Sequence, residues 1–250
     1  MTVKVKSILV SQPEPQTENS PYFDLASKYK LKVDFIPFIH VEGVDVAEVR
    51  KHKVNLGNHT AVILTSRNAV DHYFRIAEEM RYTVPNDMKY FCTSEAIAYY
   101  LQKYVVYRKR KIYFGKSKFA DLAPLFKKHK DENYLLPTSD ILKPIVPQTL
   151  EDCKVNYTRA VLYNTVSSDL SHLADVKYDI LVFFSPSGIK SLFENFPDFE
   201  QGNTKIAGFG TTTHRAIEEA GLTVNIKAPS PKYPSMTMAI EDYIKTESKK

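Results

Sequence analysis

Hydrophobic and polar positions recur along this chain in units of one kind: a short apolar run, a small polar turn and an amphipathic helical pattern. The units form three pairs, 62–74 with 181–193, 90–101 with 208–219, and 111–126 with 225–240. The first pair, VILTSRNAVDHYF and LVFFSPSGIKSLF, shows the pattern most clearly, and the third is the weakest. Apolar runs that alternate with helical patterns are typical of parallel strands joined by crossover helices. The repeat therefore predicts two similar α/β domains.

Apolar runs and turn residues also predict the single elements. Ser20 followed by Pro21 predicts a helix over Tyr22–Lys30, because Ser caps helix starts and Pro is tolerated at the first helical position. A short helix is predicted over Val46–His52. The predicted strands are Val5–Ser11, Ala61–Leu64, Tyr90–Cys92, Lys111–Phe114, Tyr134–Leu136, Ile180–Phe184, Lys205–Phe209 and Thr223–Ala228.

Two long extended runs bracket the first copy of the repeat. They are Lys32–Val41 and Asn156–Val166, and Pro37 within the first favours an edge strand or a connector. The second copy has only three strand–helix units, and the N-terminal strand and helix would complete its sheet. We therefore expect a discontinuous first domain, an inserted second domain and two connectors that permit a hinge. Their predicted bounds are 1–38 with 167–250, 45–158, and 39–44 with 159–166.

Charge and composition change this picture little. The chain has 250 residues, 43% of them hydrophobic, and a net charge of +5, which suits an anionic partner of some kind. Its basic clusters are Lys109–Lys111, Lys127–Lys130 and Lys249–Lys250; they are read either as solvated helix ends and loops or as contacts for such a partner. No DNA- or RNA-binding motif accompanies them, so we expect no nucleic-acid partner.

Several classes of protein are disfavoured by the motifs that are missing. Two cysteines cannot make a disulfide framework, so we expect a reduced, cytoplasmic protein with no signal peptide and no membrane-spanning segment. The histidines show no metal-ligand spacing, and Gly208-Phe209-Gly210 lacks the third glycine of a dinucleotide-binding motif. We expect neither a metal nor any other cofactor.

The polar turns that follow the predicted strands are the candidate binding site. Helix starts leave unpaired N–H groups and a partial positive charge, so they bind carboxylates or phosphates, although a single such turn is as well explained by helix capping. Parallel sheets collect ligands at the carboxyl ends of their strands, and two facing sheets predict a cleft there. The candidate residues are Thr65, Ser66, Arg67, Thr93, Ser94, Ser185, Ser187, Gly188, Thr211, Thr212 and Thr213.

Two further side chains have two interpretations each. Tyr163 lies in the second extended run, where its side chain either looks into the predicted cleft or packs between neighbouring strands. His214 follows Thr213 at a helix start, where it either contacts a ligand or has a surface or capping role.

Several segments together resemble one known family, the uroporphyrinogen-III synthases. FFSPSG (183–188), IAGFGTTTHRAIEEAGLTV (206–224) and the Ala-Pro-Ser-Pro at 228–231 resemble the carboxyl-terminal part of that family. Four earlier segments resemble its other parts, namely LKVDFIPFI (31–39), AVILTSRNAV (61–70), LLPTSDILKPIVPQTL (135–150) and AVLYNTV (160–166). Each motif is short, but their common order covers most of the chain.

This resemblance implies both a fold and a reaction. The expected fold has two flavodoxin-like domains with parallel sheets, joined by a two-stranded linker, with one domain discontinuous. The expected enzyme is a hydro-lyase of heme biosynthesis that needs no cofactor. It closes hydroxymethylbilane, a linear tetrapyrrole with eight carboxylates, with loss of water and inversion of ring D. The resemblance also implies a small-molecule substrate, and we expect a monomer without membrane or nucleic-acid partners.

Family roles transfer to single positions of this sequence. The resemblance implies that Tyr163 acts as a donor or positioning group near the departing hydroxyl. It implies substrate contacts for the serine turns at Ser66 and at Ser185 and Ser187, and for the paired Thr212 and Thr213. Three positions depart from the family pattern: Glu95 replaces a common Thr, Ser139 replaces a common Gly and is kept as a candidate contact, and Ser11-Gln12-Pro13 replaces a segment in which many members carry Arg.

Two alternatives remain open at this point. The first is a non-catalytic two-domain module that closes on an anionic small molecule, in the manner of a sensor; such a module predicts a signal peptide or a DNA-binding segment. The second is a paralogue that kept the fold and lost the chemistry, for which the Cys92–Glu95 turn leaves room.

Overall fold

The computed structural model describes residues 5–173 and 176–247, so the expectations for residues 1–4, for 174–175 and for the basic tail Lys249–Lys250 lie outside it. In the described part, the strands are β1 Ser7–Val10, β2 Lys32–Phe35, β3 Ile39–Gly43, β4 Ala61–Leu64, β5 Lys89–Cys92, β6 Ile112–Phe114, β7 Asn133–Ser139, β8 Asn156–Ser167, β9 Ile180–Phe183, β10 Lys205–Phe209 and β11 Val224–Ala228. The helices are α1 Pro21–Tyr29, α2 Val46–Lys51, α3 Arg67–Glu79, α4 Glu95–Tyr100, α5 Ala123–Lys128, α6 Ile145–Asp152, α7 Pro186–Asn195, α8 Thr211–Glu219 and α9 Met236–Glu247. Short 3₁₀ turns occur at Leu56–Asn58, Leu101–Lys103 and Phe119–Leu122.

The chain divides into two compact units, Met1–His40 with Val166–Lys250, and Val41–Thr165. The first unit holds a five-stranded sheet in the order β11-β10-β9-β1-β2. β1 pairs in parallel with β2 and with β9, where Ile8 lies opposite both Val33 and Ile180. The N-terminal strand therefore belongs with the carboxyl-terminal half of the chain, and the predicted α/β fold with one discontinuous unit is confirmed.

The second unit holds a six-stranded sheet in the order β3-β8-β7-β4-β5-β6. The strand pairs from β8 across to β6 are all parallel. The repeat explains the likeness of the two sheets, because β4-β5-β6 and β9-β10-β11 are the paired copies and each trio forms one outer side of its sheet. In both units the helix that follows each of these strands starts at the carboxyl edge.

Buried apolar runs account for the central strands. All four side chains of β4 (Ala61–Leu64) and all four of β9 (Ile180–Phe183) are buried, as expected for strands covered by helices on both faces. The helix predicted after Ser20 forms as α1, with the Ser20 side chain accepting a hydrogen bond from the N–H of Tyr22. Each core cluster among the described residues draws its members from a single unit.

The first extended run is not continuous. It splits into β2, an edge strand of the five-stranded sheet, and β3, an edge strand of the six-stranded sheet, with Pro37 in the break between them. Edge placement agrees with the prediction from Pro37, because proline has no N–H to offer a sheet.

The second extended run is a connector and also an inner strand. β8 lies between β3 and β7, and its pairing with β7 runs from Asn156 to Tyr163. β7 itself extends beyond the predicted Tyr134–Leu136 and continues through Pro137. That proline is tolerated because the pairing of β7 with β4 has already ended at Leu135.

None of the helices within residues 5–173 and 176–247 combines the length and apolar character needed to cross a bilayer.

Candidate functional site

Ser66 starts the longest helix at the carboxyl edge of the six-stranded sheet. Its Oγ accepts a hydrogen bond from the N–H of Ala69 at 3.0 Å, which caps α3. Among the described residues, the N–H groups of Arg67 and Asn68 have no acceptor. Arg67 is exposed, and its guanidinium carbon lies 5.2 Å from the centre of the Tyr100 ring. This turn thus offers two free donors and a cation to an anionic group.

Tyr163 lies against this same turn. Its hydroxyl is 3.2 Å from Ser66 Oγ, and its ring stacks on the imidazole of His72 with centroids 5.0 Å apart and planes 17° apart. Only 7% of the Tyr163 surface is exposed. The ring therefore packs against α3 rather than between neighbouring strands, while its hydroxyl reaches a candidate binding turn.

Arg75 holds the stacked histidine in one state. Its Nε donates to His72 Nδ1 at 3.2 Å, which requires that nitrogen to be unprotonated. Burial, and then the positive charge of Arg75, lower the pKa of His72. The imidazole is therefore neutral near pH 7, with its proton on Nε2.

The same arginine also binds the backbone beside Tyr163. One Nη donates to the carbonyls of Val44 and Leu162, at 2.8 and 3.1 Å, and the other pairs with Glu79 at 2.7 Å. Leu162 precedes Tyr163 on β8, and the N–H of Val44 also bonds to the Leu162 carbonyl at 2.9 Å. Arg75 therefore fixes the neighbouring ring and the backbone that carries Tyr163.

The Tyr163 hydroxyl remains protonated across the physiological range. Burial raises the pKa of this hydroxyl above its usual range; the hydrogen bond with Ser66 acts in the opposite direction, and the Asp140 carboxylate adds to the rise. A protonated phenol can donate a hydrogen bond or a proton to a departing group.

The turn after β5 is a weaker anion site than the sequence suggests. Ser94 caps α4 through the N–H of Ile97 at 3.4 Å, while Thr93 is buried and donates to the Thr65 carbonyl at 3.3 Å. α4 has only six residues, and the exposed Glu95 places a carboxylate in its first turn. A negative side chain there already complements the positive end of the helix.

Ser139 ends β7 beside Tyr163. Its hydroxyl donates to the Ile141 carbonyl at 2.8 Å, so this side chain is already satisfied within its own turn. Arg159 on β8 holds the turn by donating to the carbonyls of Ser139 and Asp140, at 3.0 and 2.9 Å. The Asp140 N–H in turn donates to the Tyr163 carbonyl at 3.2 Å.

In the first unit, the start of α7 forms as the repeat predicts. Ser185 Oγ accepts from the N–H of Gly188 at 3.3 Å, and Ser187 is half-buried in the first turn. A Cβ at Gly188 would lie 3.3 Å from the Phe183 ring and 3.7 Å from Ser11 Oγ. Glycine therefore lets α7 start close against β9 and β1.

The threonine turn after β10 divides into exposed and buried positions. Thr211 and Thr212 are exposed, and among the described residues their N–H groups have no acceptor. Thr213 is only 1% exposed, so its side chain packs into its own unit. Gly210 precedes them with a φ of +89°, a conformation that favours glycine.

His214 has a structural role in this turn. Its Nε2 lies 2.7 Å from the Gly208 carbonyl, which ties α8 to β10. A Cβ at Gly208 would come within 2.8 Å of the His214 ring, so the glycine makes room for this contact. This contact joins a helix to a strand and is not a helix cap, and it gives no sign of a ligand contact.

Sequence reasoning missed the residues that hold Tyr163: His72, Arg75, Asp140 and Arg159. His72 and Arg75 do follow Ser66 and Ala69 at three-residue intervals, which places them on one face of α3. Among the described residues, no three His, Cys, Asp or Glu side chains lie together as a metal site would require.

The fold defines a two-domain α/β protein with parallel sheets, in which one unit is discontinuous. The free N–H groups of the helix starts at the carboxyl edges suit anionic ligands. Residues 21–238 match the family described as uroporphyrinogen-III synthase HemD. A uroporphyrinogen-III synthase from Chlorobaculum parvum is 25% identical over 260 residues, which cover 96% of this chain and 100% of the relative.

Solved structures share the fold. Uroporphyrinogen-III synthetase from Helicobacter pylori matches with a TM-score of 0.64 and 18% identity, over 96% of this chain and 99% of the other. A mutant uroporphyrinogen III synthase from Thermus thermophilus matches with a TM-score of 0.57 and 13% identity, over 98% and 100%. Since the family match spans most of the sequence, the chain belongs to the uroporphyrinogen-III synthase family.

Proposed function

We propose that this chain closes hydroxymethylbilane into uroporphyrinogen III and that Tyr163 assists departure of the terminal hydroxyl. As a uroporphyrinogen-III synthase it is a hydro-lyase of porphyrin biosynthesis. The observation that carries the assignment to Tyr163 is its hydroxyl, protonated by burial and set 3.2 Å from the capping serine of α3.

The substrate's carboxylates bind at helix starts in this proposal. The N–H groups of Arg67 and Asn68 in one unit, and of Thr211 and Thr212 in the other, are free among the described residues. Hydrogen bonds to charged groups contribute about 1.5–3 kcal/mol each, so several donors hold a polyanion without a dedicated basic pocket. The candidate contacts remain those named from the sequence, with the Thr213 side chain supporting the turn from within.

The reaction needs one proton donor and a fixed geometry. Tyr163 donates to the terminal hydroxyl, which leaves as water, and the resulting cation is stabilised by its pyrrole nitrogen. The cationic methylene bonds to the ring-D carbon that already carries the bridging methylene, which gives a spiro intermediate. The older bond of that carbon then breaks, the freed methylene bonds to the unsubstituted α-carbon of ring D, and the proton lost from that carbon restores the tyrosine. Positioning contributes about 7–11 kcal/mol to such reactions, whereas a general acid contributes about 10²–10⁴-fold.

We also propose that the protein acts as a monomer and in a reducing cytoplasm. Its two free cysteines are buried and stay reduced there. Burial raises the pKa of Cys92 to about 12, which suppresses its thiolate. Light scattering of the purified protein at assay concentration tests the monomer, and a dimer mass would contradict it.

Consumption of hydroxymethylbilane tests the enzyme against its two alternatives. The proposed enzyme removes fresh hydroxymethylbilane many times faster than the uncatalysed reaction does. A binding module or an inactive paralogue would bind the compound, as followed by calorimetry, and leave its rate of loss unchanged. That outcome would contradict the proposed function.

A further inference from the structure

A cavity lies in the six-stranded unit, and its lining includes none of the candidate contacts named from the sequence. Its volume is about 610 Å³, within the range of small-molecule sites. Its walls are the middle of α3 and the two segments, 82–88 and 104–111, that lead into β5 and β6. These segments lie at the amino ends of their strands, so the cavity opens at the edge opposite the helix starts.

Aromatic rings form much of the cavity wall. Phe74 stacks on Tyr104 with centroids 4.4 Å apart and planes 3° apart, and it lies 6.4 Å from Tyr90. Tyr82 also lines the space, together with Val84. Flat apolar walls of this kind favour a flat apolar ligand.

Tyrosine hydroxyls at the cavity lack protein partners. Among the described residues, the hydroxyls of Tyr82 and Tyr90 make no hydrogen bond, although Tyr90 is only 4% exposed. The hydroxyl of Tyr73 is buried without a partner; burial raises its pKa, and the nearby Tyr90 and Tyr82 raise it further. The buried Tyr73 hydroxyl does not line the cavity. The hydroxyls of Tyr82 and Tyr90 belong to residues that do line it, and they can donate to an acceptor on a ligand there.

The charged side chains of the cavity that lack an ion-pair partner favour binding of an anionic ligand. Asp71 is already bound by the hydroxyls of Tyr100 and Tyr104 and by Lys103. Arg75 is likewise paired with Glu79.

The other charged side chains that line the cavity are Arg108, Lys111 and Glu78. The ammonium of Lys111 donates to the Asn86 carbonyl, and within the described residues Arg108 and Glu78 have no ion-pair partner. Two uncompensated cations therefore face one acid, and the phenol hydroxyls add neutral donors.

We propose that this cavity binds a flat aromatic carboxylate, with its ring packed against the stacked pair Phe74–Tyr104 and its carboxylate bound by Arg108 and the hydroxyls of Tyr82 and Tyr90. Arg75, which supports Tyr163, also lines this cavity, but the proposed ligand contacts use none of the residues assigned to cyclisation. Binding here can therefore be tested separately from the proposed function.

Calorimetry on the full chain with 1-naphthoate tests the site, in the absence of hydroxymethylbilane. We expect one site per chain, with clearly weaker binding of the neutral 1-naphthylmethanol and of the cationic 1-naphthylmethylammonium. Arg108→Gln and Tyr90→Phe should each weaken naphthoate binding about tenfold or more, since each removes a donor to a charged group. Arg110→Gln, which removes an exposed cation two residues away from Arg108, is the matched control and should leave binding unchanged.

Tyr90→Phe removes a hydroxyl without a protein partner, so its thermal unfolding should match that of the wild type. Tyr82→Phe repeats the test at a more exposed position if Tyr90→Phe unfolds. Absence of naphthoate binding would overturn the proposal, as would equal binding of the three naphthyl compounds. The proposal would also be overturned if Arg108→Gln and Arg110→Gln weakened naphthoate binding equally. Such a result would show a diffuse attraction to the basic segment.

Discussion

The hydroxyl of Tyr163 is the group on which the proposed chemistry depends. Tyr163→Phe keeps the ring stacked on His72 and removes only the hydroxyl beside Ser66. We expect turnover to fall by up to about 10²–10⁴-fold without being abolished, because positioning of the chain remains. Initial rates of hydroxymethylbilane loss measure this effect.

Tyr157→Phe is the control for this substitution, since it makes the same chemical change on the same strand, six residues earlier. It should leave turnover unchanged. If Tyr163→Phe also turned over at the wild-type rate, Tyr163 would be a packing residue only.

His72 predicts a particular dependence on pH. Burial and Arg75 lower its pKa in the folded state below the value of about 6.5 in the unfolded chain. Between those two pKa values the unfolded chain binds more protons, so stability is lost as the pH falls through that window. Protonation also removes the acceptor for Arg75 Nε.

Urea unfolding at pH 7.5 and 5.5 compares the wild type with His72→Asn. The asparagine oxygen can accept from Arg75 and does not titrate, so the variant should lose less stability on acidification. Burial also lowers the pKa values of His59 and His129, but these act in both proteins and cancel. An equal loss in both proteins would rule out His72 as a contributor.

At the scale of elements, Arg75 joins α3 to β3 and β8. Arg75→Met keeps most of the aliphatic stem but removes the bonds to Val44, Leu162 and His72. We expect a loss of about 1.5–3 kcal/mol in the free energy of unfolding, the usual size for hydrogen bonds to a charged group.

Arg75→Lys separates charge from geometry. A lysine keeps the charge but cannot span both carbonyls and the imidazole, so it should restore only part of the stability. Urea unfolding at pH 7.5 measures all three proteins. Full recovery with lysine would show that charge alone matters at this position.

The bounds of strands were predicted best where the local pattern of apolar and polar residues determines them. Ala61–Leu64 and Lys205–Phe209 form strands with the predicted bounds, because a continuous apolar run between polar turns leaves few alternatives. β7 was predicted too short, since it runs on from Leu136 through Pro137 to Ser139. A proline is tolerated there because the neighbouring β4 has stopped pairing, which the local sequence does not contain.

The candidate site was predictable in part for the same reason. Ser66, Ser94 and Ser185 cap their helices, which was the alternative interpretation of these turns, and capping is a local property. Their role in binding stays a prediction. The His72–Arg75 support for Tyr163 requires knowing which strand lies beside the matching face of α3. Those partners are about 90 residues apart, and no short-range pattern joins them.

At the scale of the whole molecule, the clustered cores predict that the inserted unit folds alone. Residues 39–167 contain every strand of the six-stranded sheet and both of its core clusters. We expect this fragment to unfold cooperatively in urea, as an independent domain does.

The shorter fragment 45–158 follows the boundaries predicted from the sequence and serves as the comparison. It lacks β3 and the part of β8 that carries Ala160, Leu162 and Tyr163, all buried in the core. It should be markedly less stable than the fragment 39–167. Equal stability of the two would show that β3 and the end of β8 contribute little to the inserted unit.

The isomer composition of the product tests the central claim most directly. Purified full-length protein is mixed with fresh hydroxymethylbilane, and the cyclic products are oxidised and separated by chromatography at several times. The account predicts that the III isomer, with ring D inverted, forms first and predominates over the I isomer of the spontaneous reaction. A product with the isomer I composition of the enzyme-free control would contradict it.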